Sequence, residues 1–531
     1  MSWLLISMGG KPSKPPPHVI MSAEVMTDET LHQGLDGVHI RNGHQESPES
    51  NQMNEKSACL ARKPQSLSLP LVQSWQRRFL EEPKNRLALM ALSVGDPRKA
   101  LISAATIRAD PHVFNVRIPL EGSPVTNQNA SGRCWLFAAT NVFRVALMKR
   151  YDLAAFELSQ SYLFFWDKLE KANWFLEQVI DTAAHGYHLD SRLVQHLLAE
   201  PISDGGQWDM VSNLVSKYGL VPQSLYPDTW NAKNSSVLNR ILRSQLREYA
   251  VVLRRLVERE KEKEKEDGRE KEDEEDKATT ASQAVTYAKA RMLRAILGVL
   301  TVTLGPPPDP RAEFTWAYED ADGQAHELRT TPCVFSLAPC ALHRATNMVS
   351  LVHDPRHPPL TRLTVDRLGN VVGGRPVTYV NVDMHTLKAA CVASLRGGQP
   401  VFFGSDVGKF SSATFGMMDL DLFDCELGFG VGLRGLDKAD RLRARESQLT
   451  HAMVLTGVHV DSQGGTVRWR VQNSWGERSG QKGWFVMSDA WMDEFVYQAV
   501  VDPLYLAKEV KDVLKKTPVV LPLWDPMGSL A

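Results

Sequence analysis

"TNQNASGRCWLFAATNVF", residues 126–143, is the stretch whose reading decides the fold. Its first half is a polar turn that ends at Gly132. From Cys134 the chain continues as "CWLFAATNVFRVALMKRYD", which is apolar on most faces of a helix. A helix that is apolar all round belongs at the centre of a domain. The turn before it sets Cys134 at or near the helix N-terminus, where the partial positive charge of the helix end favours a thiolate.

Working outward, residues 1–65 are rich in Pro, Ser, Asn, Gly and charge and read as a disordered extension. Within them "MGGKPS", starting at Met8, fits a myristoylation pattern that would matter only if translation began there. Apolar residues at helical spacing begin in "LVQSWQRRFLEE". "ELSQSYLFFWDKLEKANWFLEQVI" is a second strong helix, followed by the glycine turn "SDGGQWDM". Residues 258–277 hold one uncharged residue, Gly268, and read as a solvated helix or disordered insertion. Past residue 390 the pattern changes to short β-rich runs: "QPVFFGSDVG", "HAMVLTGVHV", "GTVRWRVQNSWG" and "KGWFVMSDAW".

The helical half therefore comes first and the β half later, an α+β arrangement rather than alternating βαβ units. The expected divisions are an extension over 1–65, a helical half over 66–234, a mainly helical insertion over 235–385, a β-rich half over 386–505 and a C-terminal arm over 506–531. The arm closes with "VVLPLWDPMGSLA", whose prolines and glycine exclude a regular helix. It is too apolar for a free end and is expected to lie against something.

Composition bounds the function. The chain has 531 residues, 43% hydrophobic and 23% charged, with a net charge of −1. That is ample apolar material for a core, and no global pull toward nucleic acid or an anionic membrane. Cysteines stand singly at 59, 134, 333, 340, 391 and 425, with no C-x-x-C pair, which points to neither a zinc site nor a disulfide framework. The N-terminal apolar run has no basic flank, the first 40 residues lack arginine, and the run Ala295 to Leu304 is too short to span a bilayer. The expected location is the cytoplasm.

Four residues together carry a chemistry that none carries alone. A thiol nucleophile needs a base, an orienter for that base and donors for an oxyanion. Cys134 supplies the thiol. Gln128, six residues earlier, can aim a side-chain amide at the point the Cys134 backbone N–H faces. His451 opens an apolar β-like run beside a polar loop. Asn473, in "VQNSWGERSGQKGW", can fix the histidine ring, and Trp475 can shield that hydrogen bond from water.

In this order and setting the chain resembles the papain-like cysteine peptidases. Their nucleophile signature is C-G-[SA]-C-[WY], against which Ser131, Gly132, Arg133, Cys134 and Trp135 align. Serine stands where the first cysteine makes a structural disulfide in secreted relatives, a staple a reducing compartment would not maintain. That reading also makes "NAS" at 129–131, a nominal glycosylation acceptor, irrelevant. His451 follows Cys134 with roughly 170 more residues between them than the papain spacing of about 130–150. With "SQSYLFFWDK", "DGGQWDM", "THAM" and the ending "DPMGSLA", this looks like the bleomycin hydrolase and aminopeptidase C branch of that group.

The resemblance implies a papain-like fold with a large insertion, and a cysteine aminopeptidase that needs no metal or organic cofactor. It implies that Gly205 and Gly206 pair with the substrate backbone. It implies that the arm enters the active site, where the Ala531 carboxylate holds the substrate's free amino group. It further implies a homohexamer acting on peptides with a free N-terminus. Hydrolysis of the bleomycin amide and of homocysteine thiolactone would use the same chemistry. The competing readings are an endopeptidase without the arm restriction, a nucleic-acid-binding protein with incidental peptidase activity, and a scaffold whose charged run recruits partners.

Overall fold

The computed structural model describes residues 66–109, 111–266, 283–337 and 345–530. The expected disorder of 1–65, the Met8 motif, most of the charged run and Ala531 lie outside them. The chain divides into two units, residues 1–73 and 74–531. Of the first, the described residues 66–73 open helix Leu69–Glu81. The remaining elements belong to the second.

Its helical half is built around helix Cys134–Tyr151, with Trp135, Leu136, Phe137, Ala139, Phe143 and Leu147 all almost completely buried. Arg144 is buried in the same helix and donates to the carbonyls of Pro124 and Phe156. This helix ends at Asp152, which adopts a left-handed conformation, φ 49°, and returns its N–H to the Met148 carbonyl. Beside it run helix Gln160–Ala184, capped by Ser159 accepting from the Tyr162 amide, and helix Trp208–Tyr218.

The insertion supplies two long helices, Ser236–Glu266 and Gln283–Leu304, and the hairpin Phe314–Glu319 with Ala325–Thr330. Leu238, Leu242, Leu246 and Leu253 recur at helical spacing on one buried face of the first. The charged residues 258–263 continue that helix with exposed or half-buried side chains, as expected of a solvated helix.

The second half is a 12-stranded sheet. Its centre pairs Val401–Ser405 with His451–Val460, which pairs in turn with Thr466–Gln472 and, beyond it, Trp484–Ser488, all antiparallel. The sheet reaches back into the stretch expected to be mainly helical: Val349–Val352 pairs with Val496–Val501, and Thr361–Val365 and Thr378–Asn381 lie further out. The boundary expected at 385 therefore cuts through one sheet. Val349–Val352 and Thr378–Asn381 are short and nearly all buried, so they lack the alternation by which an exposed strand is read. "KGWFVMSDAW" is strand only to Ser488, after which Asp489–Phe495 is helical. No helix among the described residues is long and apolar enough to cross a membrane.

Candidate active site

The two halves are joined beside the nucleophile turn. Asn127 bridges to Trp475, the Gln128 amide donates to the Ser474 carbonyl at 2.9 Å, and Gly476 N–H donates to the Thr126 carbonyl at 3.0 Å. This short antiparallel contact lays the turn before Cys134 directly against the loop that carries Asn473.

Cys134 is the first residue of its helix, as its sequence setting predicts, and is 2% exposed. The amides of Ala452, Trp135 and Cys134 itself reach the sulphur and favour the thiolate. Burial outweighs them and pushes the thiol up to about 11. The helix-end amides that favour a thiolate are in place, but the sulphur is too dry for a lone negative charge.

His451 begins its strand opposite Ser405. Its Nε2 lies 2.8 Å from Asn473 Oδ1, and that oxygen also accepts the Ser474 amide at 2.8 Å. The Asn473 pairing leaves Nδ1 to face a reacting group. Burial pushes the imidazole down to about 4, against the Asn473 hydrogen bond, which raises it. Asn473 is fully buried, so "NSWG" is not a surface turn. The indole of Trp475 lies 4.9 Å from the imidazole, centroid to centroid, tilted by 31°.

Gln128 is held at both ends of its amide. Oε1 accepts from Ser474 Oγ at 2.7 Å, and Nε2 donates one hydrogen to the Ser131 carbonyl at 2.7 Å. The second Nε2 hydrogen remains, and Gln128 lines the same cleft as Cys134 and His451. That cleft has a volume of about 690 Å³.

Gly205 also lines it, with its carbonyl accepting from Lys171 Nζ at 2.5 Å. Gly206 is packed behind: a Cβ there would stand 2.5 Å from the Trp135 ring. Of the expected Gly-Gly edge, Gly205 faces the cleft, and Gly206 is the residue that lets Trp135 close up beneath it.

Sequence reasoning missed the buried charges that hold this arrangement. Asp204 receives the Gly132 amide at 3.0 Å, Asn239 at 2.8 Å, Ser235 Oγ, and the Lys168 ammonium at 2.6 Å. Burial alone would raise the Asp204 carboxyl, but Lys168 and these donors hold it below the usual carboxylate range. Its backbone carbonyl accepts from the Trp135 indole at 2.7 Å. On the other side, fully buried Arg133 pairs with Asp228 at 2.8 Å and donates to Ser131 Oγ at 2.9 Å. An arginine inside "SGRCW" and an aspartate directly before Gly-Gly were the available signals. Charged residues this close to a buried nucleophile need partners.

The arm lies in the cleft. Leu523, Trp524, Asp525, Pro526 and Gly528 to Leu530 line it together with Cys134 and His451. Val519–Leu521 pairs in parallel with Thr361–Val365, and Met527 is buried in the core. Gln207, the residue after Gly-Gly, donates to the Ser529 carbonyl at 2.6 Å, and Ser529 Oγ donates to the Leu449 carbonyl at 2.8 Å. The apolar side chains of Leu521, Leu523, Trp524, Met527 and Leu530 are thus buried or half-buried, while Val519 and Val520 stay exposed.

A helix-borne cysteine, a strand-borne histidine fixed by asparagine, and a side-chain amide held in the same cleft as the thiol define a papain-like cysteine peptidase. The comparisons agree. The Peptidase C1-like family model matches residues 66–528, and the chain belongs to that family. It is similar to bleomycin hydrolase of Rattus norvegicus, 41% identical over 83% of this chain and 95% of the relative. It is also similar to "Cysteine proteinase 1, mitochondrial" of Saccharomyces cerevisiae, 40% identical over 91% and 96%. Among solved structures, PepW from Lactobacillus rhamnosis HN001 superposes with a TM-score of 0.79 at 39% identity, covering 88% of this chain and 99% of that one.

Proposed function

We propose that this peptidase is an aminopeptidase that removes single residues from peptides with a free N-terminus. The observation that carries this reading is the arm: residues running to Leu530 share one cleft with Cys134 and His451. In this reading the Ala531 carboxylate holds the substrate's free amino group. An ammonium bound there in a partly dry site would meet an opposite charge, and a blocked N-terminus would meet an unpaired one.

In this mechanism Cys134 attacks the carbonyl carbon of the first peptide bond. The thiol is pushed up and the imidazole pushed down by the same burial, so neither charge is stable alone. They ionise together: the Cys134 proton passes to His451 Nδ1, and the two charges stabilise each other at close range. The Cys134 N–H and the second Nε2 hydrogen of Gln128 receive the oxyanion. His451 returns its proton to the leaving amine, then takes one from the water that hydrolyses the thioester. Asn473 keeps the imidazole plane fixed, Trp475 keeps water from their hydrogen bond, and Gly205, with Gly206 behind it, offers backbone to the substrate.

The same reading carries the homohexamer, the cytoplasmic location and amide or thiolactone side activities as proposals of similarity to the relatives. The test is a pair of peptides identical except for N-acetylation. The free one is expected to be trimmed residue by residue and the acetylated one to resist. Internal cleavage of the acetylated peptide by the full chain would mean an endopeptidase.

A further inference from the structure

The arm is fastened to the body by an ion pair just before it turns toward the nucleophile, next to Trp524, whose ring lies 4.0 Å from the Arg192 guanidinium. Arg356 is held by Asp354, with Nε 2.9 Å from Oδ1 and Nη2 2.8 Å from Oδ2. Asp354 is itself fully buried and receives the Asn381 side chain at its backbone carbonyl. The remaining face of the guanidinium meets Asp525 of the arm, Nη2 to Oδ1 at 2.7 Å and Nη1 to Oδ2 at 3.2 Å.

Asp525 Oδ1 does a second thing. It accepts the Met527 amide at 2.9 Å and so caps the single turn Pro526–Gly528, which redirects the chain into the cleft. Tyr379 Oη then donates to the Met527 carbonyl at 3.1 Å. Two-pronged pairing of a guanidinium with a carboxylate fixes direction as well as distance.

We infer that the Asp354–Arg356–Asp525 triad is the register clamp of the arm, with Asp525 a positioning residue that sets where the chain terminus stands relative to Cys134. This rests on the aminopeptidase reading above. Ala531 lies six residues beyond Asp525, a span of up to about 20 Å when extended. With the Asp525 pairing lost, only the contacts at Met527 and Ser529 would hold the arm beyond that point, its end would shift along the cleft, and the exclusion of blocked peptides would loosen.

The test uses the full chain, a form ending at Met527, Asp525→Asn and Asp525→Glu, each assayed on a free peptide and its N-acetyl twin. The readout is the ratio of acetylated to free rates, which simple loss of folded protein leaves unchanged. Asp525→Asn is expected to raise the ratio about tenfold, the scale of one lost charge-assisted hydrogen bond. Asp525→Glu keeps the charge and is expected to stay close to the parent. If Asp525→Asn does not fold, Tyr379→Phe removes the next contact along the arm and is expected to raise the ratio as well. An unchanged ratio in the folded Asp525→Asn chain, or failing that in Tyr379→Phe, while the shortened form shows a rise, overturns the clamp and leaves the arm reading standing. An unchanged ratio in the shortened form overturns the arm reading, and the clamp with it.

Discussion

His451 and Asn473 form one buried hydrogen bond of 2.8 Å, roofed by the indole of Trp475. Asn473 Oδ1 is also pinned by the Ser474 amide, so its direction is set by the backbone and the imidazole is aligned to it. Asn473→Ala is expected to lower kcat by about 10²-fold or more with little change in KM, the scale of misplacing a general acid–base. Steady-state kinetics on a free peptide checks this. A large rise in KM at unchanged kcat would assign Asn473 to substrate binding instead.

Gln128 has one amide hydrogen left after Ser131 takes the other. If that hydrogen meets the oxyanion, Gln128→Ala loses about 10²–10³ in kcat. Gln128→Glu, which accepts where the amide donates, is expected to be at least as inactive. Retained activity in Gln128→Glu would exclude the side chain from the oxyanion site.

Burial of His451 ties stability to pH. Its imidazole is pushed down to about 4, so between the unfolded value near 6.5 and about 4 the unfolded chain binds the extra proton. Stability from this group is present above pH 6.5 and is lost as pH falls toward 4, up to about 3 kcal/mol. His353, also pushed down to about 4 by burial, acts in the same sense. Asp209, pushed up to about 6 by burial, acts in the opposite one. Urea unfolding of the parent and of His451→Gln from pH 7 to 4 isolates the first: the variant is expected to lose less stability across that range. Parallel curves would mean that His451 is not held neutral.

Gly206 abuts the Trp135 ring so closely that a methyl has no room. Gly206→Ala is expected to cost about 1–3 kcal/mol by overpacking. Because Trp135 is next to Cys134 in the chain, activity should fall in the fraction that remains folded. A thermal shift with kinetics measures both, and an unshifted melting point would show that Trp135 yields freely.

The chemical parts were legible in the sequence because each sits in a short local motif. The cysteine at a helix start, the histidine opening a strand and the asparagine before a tryptophan all stand where their settings put them. What was not legible is what depends on packing. Whether a thiol at a helix end is ionised turns on burial, and "SGRCW" does not encode how dry its sulphur is. Asp204, Lys168 and Arg133 look like ordinary charged residues until the fold buries them together. The strands Val349–Val352 and Thr378–Asn381 are buried almost throughout, so their membership of the main sheet lies in pairings far along the chain. The arm stood out for the opposite reason, as an apolar end that needed cover.

Cys134 as the nucleophile is tested most directly by an active-site-directed thiol reagent. Intact mass and peptide mapping are read after reaction with an electrophilic peptide analogue, alongside residual activity. The expected result is one adduct per chain, on Cys134, in step with the loss of peptide hydrolysis, and an inactive, unlabelled but folded Cys134→Ala chain. Labelling of any of the other five cysteines in its place, or peptide hydrolysis by Cys134→Ala, would contradict the assignment.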